Sequence, residues 1–115
     1  SGCMRMVPGS HLNRRVHHES GPVDNNLLAQ GQLVPGLVVS QARPCNLGPG
    51  QASLHHGWTL HASGPNTTDD RRIGLVAQFR APHVFEDRQG SDKISAKLVR
   101  GTDRYGHYLE DNVRW

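Results

Sequence analysis

The chain has 115 residues, of which 35% are hydrophobic and 20% are charged, and its formal net charge is +3 at pH 7. This length allows one small domain with a modest core, and 13 glycines with 7 prolines favour short strands and turns over long helices. The basic residues do not cluster and only 5% of residues are aromatic, so a nucleic-acid-binding surface is not expected. The sequence has no apolar run of membrane-spanning length and no CxxC pair, so we expect a cytoplasmic protein with reduced thiols and no membrane partner.

In chain order, the first predicted element is a strand over Cys3–Val7, where apolar and polar side chains alternate. A turn at Pro8-Gly9-Ser10 follows, then a polar loop over 11–22 and a helical turn within 23–33. Further strands are predicted at 36–40, 51–56, 58–63 and 72–80, and further turns at 46–50 and 64–70. Short strands punctuated by turns predict an all-β (mainly β) antiparallel sandwich or jelly roll. Residues 82–115 are weakly patterned and are expected to run over the surface.

The segment from Gly50 to Pro82 carries the most informative motif. The pattern H-x-S-x-P-N-x-S-x-x-x-R is met, with threonine at one serine position, by His61, Ser63, Pro65, Asn66, Thr68 and Arg72. This segment resembles the C-terminal motif region of the phytanoyl-CoA dioxygenase family. Residues 2–11, GCMRMVPGSH, resemble the family's strand that ends in P-G-S-H, and residues 98–108, LVRGTDRYGHY, resemble the tail of bacterial members. The resemblance therefore covers nearly the whole chain.

The resemblance implies a non-haem iron(II), 2-oxoglutarate-dependent oxygenase that hydroxylates a small organic substrate. His61 would be the distal histidine of the iron's facial triad, Arg72 would bind the far carboxylate of 2-oxoglutarate, and Ser63 would assist Arg72. The residue types suit these roles, because imidazole is a good ligand for iron(II) and the planar guanidinium fork matches a carboxylate. We expect residues 1–115 to be the C-terminal part of a single domain, a partial double-stranded β-helix (cupin-like jelly roll) without its N-terminal strands.

The rest of the triad is not found at the positions that the resemblance requires. The family's other two ligands, an H-x-D pair, lie upstream of the region that matches residues 1–11, and the sequence contains no H-x-D. The densest histidine cluster is formed by His55, His56 and His61, and it would need a chain reversal at Gly57 to bind one metal ion. If the polypeptide is complete, we expect it to be inactive, and the unpaired strands of a cut barrel should favour self-association.

Three functions stay open at this point. The first is the hydroxylase described above, and the second is a related halogenase in which a small residue replaces the triad's carboxylate so that chloride takes its place. The third is a non-catalytic β-barrel remnant or binding module. Without the resemblance, His61 would be a hydrogen-bonded strand residue, Arg72 a surface charge and Ser63 a turn-capping hydroxyl.

Overall fold

The computed structural model of the chain describes residues 2–21, 31–85 and 96–108. The described strands are β1 (Met4–Met6), β2 (Glu19–Gly21), β3 (Gly31–Leu33), β4 (Arg43–Pro44) and β5 (His61–Ser63), and two 3-10 helices span Ser10–Asn13 and Val39–Gln41. The chain divides into two compact units, Ser1–Ile73 and Gly74–Trp115, and all five of these strands lie in the first. Within the described ranges, no helix has the length and apolar character needed to cross a membrane.

The strands form two antiparallel sheets. The larger sheet has β1 in the middle, with β4 along one edge and β5 along the other, and the smaller sheet pairs β2 with β3. In the larger sheet Met4 lies opposite Ser63, and Met6 lies opposite His61. The mainly β fold predicted from the sequence is therefore confirmed.

Two buried side chains of the first unit lie just after β1. Val7 is 9% exposed and Ser10 is 5% exposed, and they are the buried hydrophobic and the buried polar residue of the described chain. The Val7 amide extends the pairing of β1 by donating to the Leu60 carbonyl at 2.9 Å. Gly9, with φ of 76°, then supplies the left-handed turn that starts the first 3-10 helix. The alternating strand and the Pro-Gly-Ser turn predicted from the sequence are both present.

Several predicted strands are wrong. Residues 36–40 turn at Gly36 (φ 72°) and enter the second 3-10 helix, with Val38 and Val39 exposed. Residues 51–56 and 72–80 pair with no other strand of the described chain. A β-branched, apolar segment becomes a strand only where a neighbouring strand forms hydrogen bonds with its backbone. The sequence pattern does not show whether such a neighbour is present. The loop predicted over 11–22 contains a 3-10 helix and β2, and the helical turn predicted within 23–33 is replaced at 31–33 by β3, while 22–30 lie outside the described residues.

The second unit is organised around His107 and Asp103. The His107 ring stacks on Tyr105 at a centroid distance of 5.5 Å and lies 5.1 Å from the Phe85 ring. Its Nδ1 donates to the Pro82 carbonyl at 3.1 Å. Asp103 accepts hydrogen bonds from the backbone N–H groups of Tyr105 at 2.9 Å and Tyr108 at 2.8 Å. In the described part of 82–115 these aromatic rings therefore contact one another, and Phe85 and Tyr105 stay exposed as expected for a surface segment.

Candidate functional site

His61 begins β5, and a hydrogen bond to the preceding chain orients its ring. The Nδ1 atom of His61 lies 2.7 Å from the carbonyl oxygen of Thr59. Because a carbonyl oxygen only accepts, Nδ1 must carry a proton, so in the neutral ring Nε2 keeps its lone pair. Metal-binding histidines are commonly held in this way, with the second nitrogen donating to a carbonyl or carboxylate. His61 is also exposed, and its ring nitrogen Nε2 has the protonation state of a ligand.

Ser63 shares a face of β5 with His61, since residues two apart on a strand point to the same side. That face also carries Met4 and Met6 of β1, which lie directly opposite Ser63 and His61. Ser63 is exposed like its neighbours on β5. The strand therefore presents one imidazole and one hydroxyl side by side.

Arg72 lies at the end of β5. Its Nη1 donates to the Gly64 carbonyl at 3.0 Å and also to the Gly2 carbonyl. Gly64 directly follows Ser63, the last residue of β5. The structure brings Arg72 next to β5 through backbone carbonyls of the first unit.

Asn66 shapes the turn that returns the chain from β5 to Arg72. Its side-chain nitrogen donates to the Asp70 carbonyl at 2.7 Å. Its side-chain oxygen accepts from the Thr68 backbone N–H at 3.3 Å and from the Thr68 hydroxyl at 2.8 Å. A serine hydroxyl could make the same contact, which explains why threonine is tolerated at this position of the motif.

Two other histidines lie close to the candidate site. The reversal at Gly57, closed by a 2.9 Å bond from the Thr59 N–H to the His56 carbonyl, brings the ring of His55 to 5.1 Å from that of His61. His56 accepts the Trp58 backbone N–H on its Nδ1 at 3.1 Å, so in the neutral ring its proton is on Nε2. The two rings on either side of the reversal, His56 and His61, thus have opposite tautomers, and only His61 is prepared to bind a metal through Nε2.

Sequence reasoning missed one pair with metal-ligand spacing. His17 and Glu19 form an H-x-E, and the His17 Nε2 lies 4.0 Å from a Glu19 carboxylate oxygen. From the sequence we expected neither H-x-D nor H-x-E and considered only the adjacent His18 and Glu19, so the expectation for H-x-E was wrong. Both side chains are exposed.

The donor set can be compared with what iron(II) needs. Non-haem iron(II) oxygenases use two histidines and one carboxylate on one face of the metal. His61 fits as one such ligand, but the described ranges contain no group of three or more His, Cys, Asp or Glu side chains that could hold a metal ion. The His17–Glu19 pair and His61 therefore do not form one site in the part of the chain that is described.

Ser10 was also missed, although it belongs to the P-G-S-H segment. Its hydroxyl donates to the Val7 carbonyl at 2.7 Å and accepts the Leu60 N–H at 2.9 Å. Leu60 precedes His61, so the buried Ser10 contacts the strand that carries the candidate ligand. The sequence signal was the motif itself, but the contact joins residues 50 positions apart.

Comparison with known proteins agrees with the motif. The family model for phytanoyl-CoA dioxygenase (PhyH) matches residues 1–74, which include His61, Ser63 and Arg72. No curated protein and no solved structure gives a match. The family match covers more than half of the 115 residues and contains all five described strands. The chain belongs to the phytanoyl-CoA dioxygenase family.

Proposed function

We propose that this chain is part of an iron(II)- and 2-oxoglutarate-dependent dioxygenase that hydroxylates a small organic substrate. Membership of the family supports oxygenase-like chemistry. The observation that carries the proposal further is the His61 ring, whose Nδ1 donates to the Thr59 carbonyl and leaves Nε2 to bind a metal. The double-stranded β-helix fold, with residues 1–115 as its C-terminal part, belongs to the same proposal.

Each motif residue has a distinct part in the proposed site. His61 contributes one iron ligand, and Arg72 holds the far carboxylate of 2-oxoglutarate with help from the Ser63 hydroxyl. When bound, the iron would activate dioxygen as the four-electron oxidant; one oxygen atom would go to 2-oxoglutarate, giving succinate and carbon dioxide, and the other to the hydroxylated substrate. The chain's own contribution is to position these groups.

Arg72 can take this part from its observed position. Its Nη1 now donates to the neutral carbonyls of Gly2 and Gly64. Hydrogen bonds to an ionised carboxylate are roughly twice as strong as those to a neutral acceptor. A carboxylate of 2-oxoglutarate would be a stronger acceptor for this guanidinium than the Gly2 carbonyl, and the bond to the Gly64 carbonyl could be kept.

The described residues do not bring two further ligands together with His61, so the proposal requires the other two iron ligands to come from elsewhere. An H-x-D pair encoded upstream of Ser1 is one source, and the His17–Glu19 pair in a different arrangement is another. A chain with one ligand by itself should not hold iron(II), so the source of the remaining ligands decides whether the polypeptide is active.

The test is an anaerobic titration with iron(II) and 2-oxoglutarate, recording the weak visible charge-transfer absorption of the chelate. It is made on the 115-residue chain and, where the source DNA continues the open reading frame upstream, on the longer product. We expect the band to be lost in His61→Gln and Arg72→Ala but kept in the matched controls His56→Gln and Arg71→Ala. Loss in Glu19→Gln would assign the missing carboxylate to the H-x-E pair.

The contrary outcomes are distinct. A band that persists in His61→Gln and Arg72→Ala contradicts the roles of these residues. A product that contains an H-x-D pair but binds no iron contradicts the dioxygenase itself. If the natural reading frame adds no H-x-D and no iron binds, the non-catalytic β module is favoured, consistent with the incomplete ligand group of the described residues.

A further inference from the structure

We infer that Ser10 is the positioning residue of His61 and that it acts through the peptide group between Thr59 and Leu60. The inference rests on the proposed function, in which His61 binds a metal through Nε2. The described hydrogen bonds of the Ser10 hydroxyl go to the Val7 carbonyl and the Leu60 N–H and not to the His61 ring. It holds the peptide group that determines which ring nitrogen of His61 carries the proton.

The contacts form a continuous chain of hydrogen bonds. His61 Nδ1 donates to the Thr59 carbonyl at 2.7 Å. The N–H of that same peptide group, which belongs to Leu60, donates to the Ser10 hydroxyl oxygen at 2.9 Å. The Ser10 hydroxyl in turn donates to the Val7 carbonyl at 2.7 Å. One peptide plane is thus held at its two ends by His61 and Ser10.

The direction of each bond is fixed by chemistry. Since the Val7 carbonyl only accepts, the Ser10 hydroxyl must donate to it, and its oxygen lone pairs are left to accept the Leu60 N–H. An amide that donates at its N–H becomes a stronger acceptor at its carbonyl, because hydrogen bonds in a chain polarise one another. Ser10 therefore strengthens the Thr59 carbonyl as an acceptor and favours the proton on His61 Nδ1.

Burial makes this arrangement rigid. Ser10 is 5% exposed, so little water is available to replace its hydrogen bonds. The next peptide group is held as well, because the Leu60 carbonyl accepts the Val7 N–H at 2.9 Å. The main chain entering β5 is fixed on both sides of Leu60, while His61 itself remains exposed.

The test reads the tautomer of His61 directly, without metal. Long-range nitrogen–proton correlation spectra of ¹⁵N-histidine-labelled protein are recorded for the unmodified chain, Ser10→Ala and Ser10→Thr. We expect the Nδ1–H form of His61 in the unmodified chain and in Ser10→Thr, which keeps the hydroxyl, and a mixture of both tautomers in Ser10→Ala. His18 is the internal reference, because its Nδ1 bonds to the Val16 carbonyl at 2.9 Å far from Ser10 in sequence.

A local effect is separated from unfolding by hydrogen exchange. The Cys45 N–H donates to the Met4 carbonyl at 2.8 Å on the opposite edge of the larger sheet, so its protection reports whether that sheet survives. If the Cys45 N–H loses its protection from exchange in Ser10→Ala, the test is repeated with Ser10→Cys. Cysteine is close to serine in size, but its thiol is a weak donor and a weak acceptor. An unchanged Nδ1–H tautomer in either variant, with Cys45 protected, overturns the inference.

The consequence for metal binding separates this inference from the proposed function. Loss of a partner that orients a ligand typically weakens metal affinity about 10- to 100-fold. Ser10 lies one hydrogen bond further from the ligand, so where the iron titration gives a band we expect iron affinity to fall by up to about 10-fold in Ser10→Ala and to recover in Ser10→Thr. If the tautomer of His61 depends on Ser10 but the chain binds no iron, the positioning role is supported and the proposed dioxygenase function is contradicted. If the tautomer does not depend on Ser10 but the absorption band requires His61, the dioxygenase function is supported and the positioning role is contradicted.

Discussion

At the scale of single residues, Gly2 occupies a position that accepts no side chain. Its φ is 61°, and a Cβ atom added there would fall within 3.0 Å of backbone atoms of Gly64 and Pro65. Its carbonyl is one of the two that receive the Arg72 guanidinium. The backbone of Gly2 therefore lies against the backbone of Gly64 and Pro65, which leaves no room for a side chain. The same position places the Gly2 carbonyl where it accepts from Arg72.

We expect Gly2→Ala to lower the free energy of unfolding by more than Gly36→Ala. Gly36 also has a left-handed backbone, with φ of 72°, but a Cβ there meets nothing within 4 Å. Alanine at Gly36 should cost about 1–2 kcal/mol from the left-handed backbone alone, and overlap with backbone should add about 1–3 kcal/mol at Gly2. Urea unfolding of both variants checks this, and equal losses would contradict the packing described for Gly2.

Among the described residues of the second unit, Asp103 has a shifted pKa. Partial burial acts to raise the pKa of Asp103, but hydrogen bonds from the backbone N–H groups of Tyr108, Tyr105 and His107, helped by the charge of His107, lower it below 3.8. A carboxylate with a lowered pKa in the folded state stabilises that state above its unfolded pKa, and this stabilisation disappears as pH falls through the folded pKa.

Acidification should therefore loosen the loop that follows Asp103. We expect the backbone amide resonances of Tyr105 and Tyr108 to shift together, with a midpoint below 3.8, as the pH is lowered. Asp103→Asn keeps one carbonyl acceptor but has no charge to titrate, so the transition should be absent in that variant. A midpoint at or above the ordinary value would show that these hydrogen bonds do not form in solution.

At the scale of secondary structure, the larger sheet depends on the residue that follows its central strand. Val7 is 9% exposed, whereas Val39 in the second 3-10 helix is 62% exposed. Complete burial of a valine side chain contributes about 1.5–3 kcal/mol, so we expect Val7→Ala to destabilise the chain by about 2 kcal/mol. Val39→Ala should stay within about 0.5 kcal/mol. Thermal unfolding of the two variants distinguishes them, and similar midpoints would contradict the assigned core.

The same elements show how far the sequence leads. β1 could be predicted, since the alternation over Cys3–Val7 reflects a half-buried strand. The strand predicted over 58–63 is present at His61–Ser63, where all three residues are exposed. β2 could not, because Glu19-Ser20-Gly21 has no apolar alternation and becomes a strand only through its pairing with β3. The opposite error occurred at 72–80, where an apolar pattern has no described neighbour.

In the candidate site, too, some residues could be predicted from the sequence and others could not. The roles of His61, Ser63 and Arg72 stay predictions that rest on the motif, and the structure adds where these side chains lie. Ser10 could not be assigned a role from sequence, because its partner is a backbone N–H 50 residues away. Motifs report side-chain chemistry, whereas the orientation of a peptide group depends on the folded chain.

At the scale of the whole molecule, the family match and the first compact unit end at nearly the same residue. The match stops at residue 74, and the first unit stops at Ile73. We propose that residues 1–115 nevertheless belong to one domain, as the tail resemblance over 98–108 implies.

We also propose that the chain associates with itself through the apolar segment at the start of the second unit. Leu75, Val76 and Phe79 are 98%, 81% and 74% exposed, and apolar surface of this kind favours association. We expect the average mass in sedimentation equilibrium to rise with concentration, and Val76→Lys to suppress the rise. Val39→Lys, at a different exposed valine, is the matched control. A concentration-independent monomer mass would contradict the proposal.

The antiparallel register of β1 on β5 limits how the gene for this protein can change in length. His61 and Ser63 share one face and Ala62 has the other, because side chains alternate along a strand. One codon inserted inside β5 would exchange these faces and remove either the imidazole or the hydroxyl from the Met4–Met6 side. Codons gained or lost between β4 and the reversal at Gly57 would change only loop length, which costs little. Length variation among relatives is thus expected between β4 and the reversal at Gly57 and not within β5.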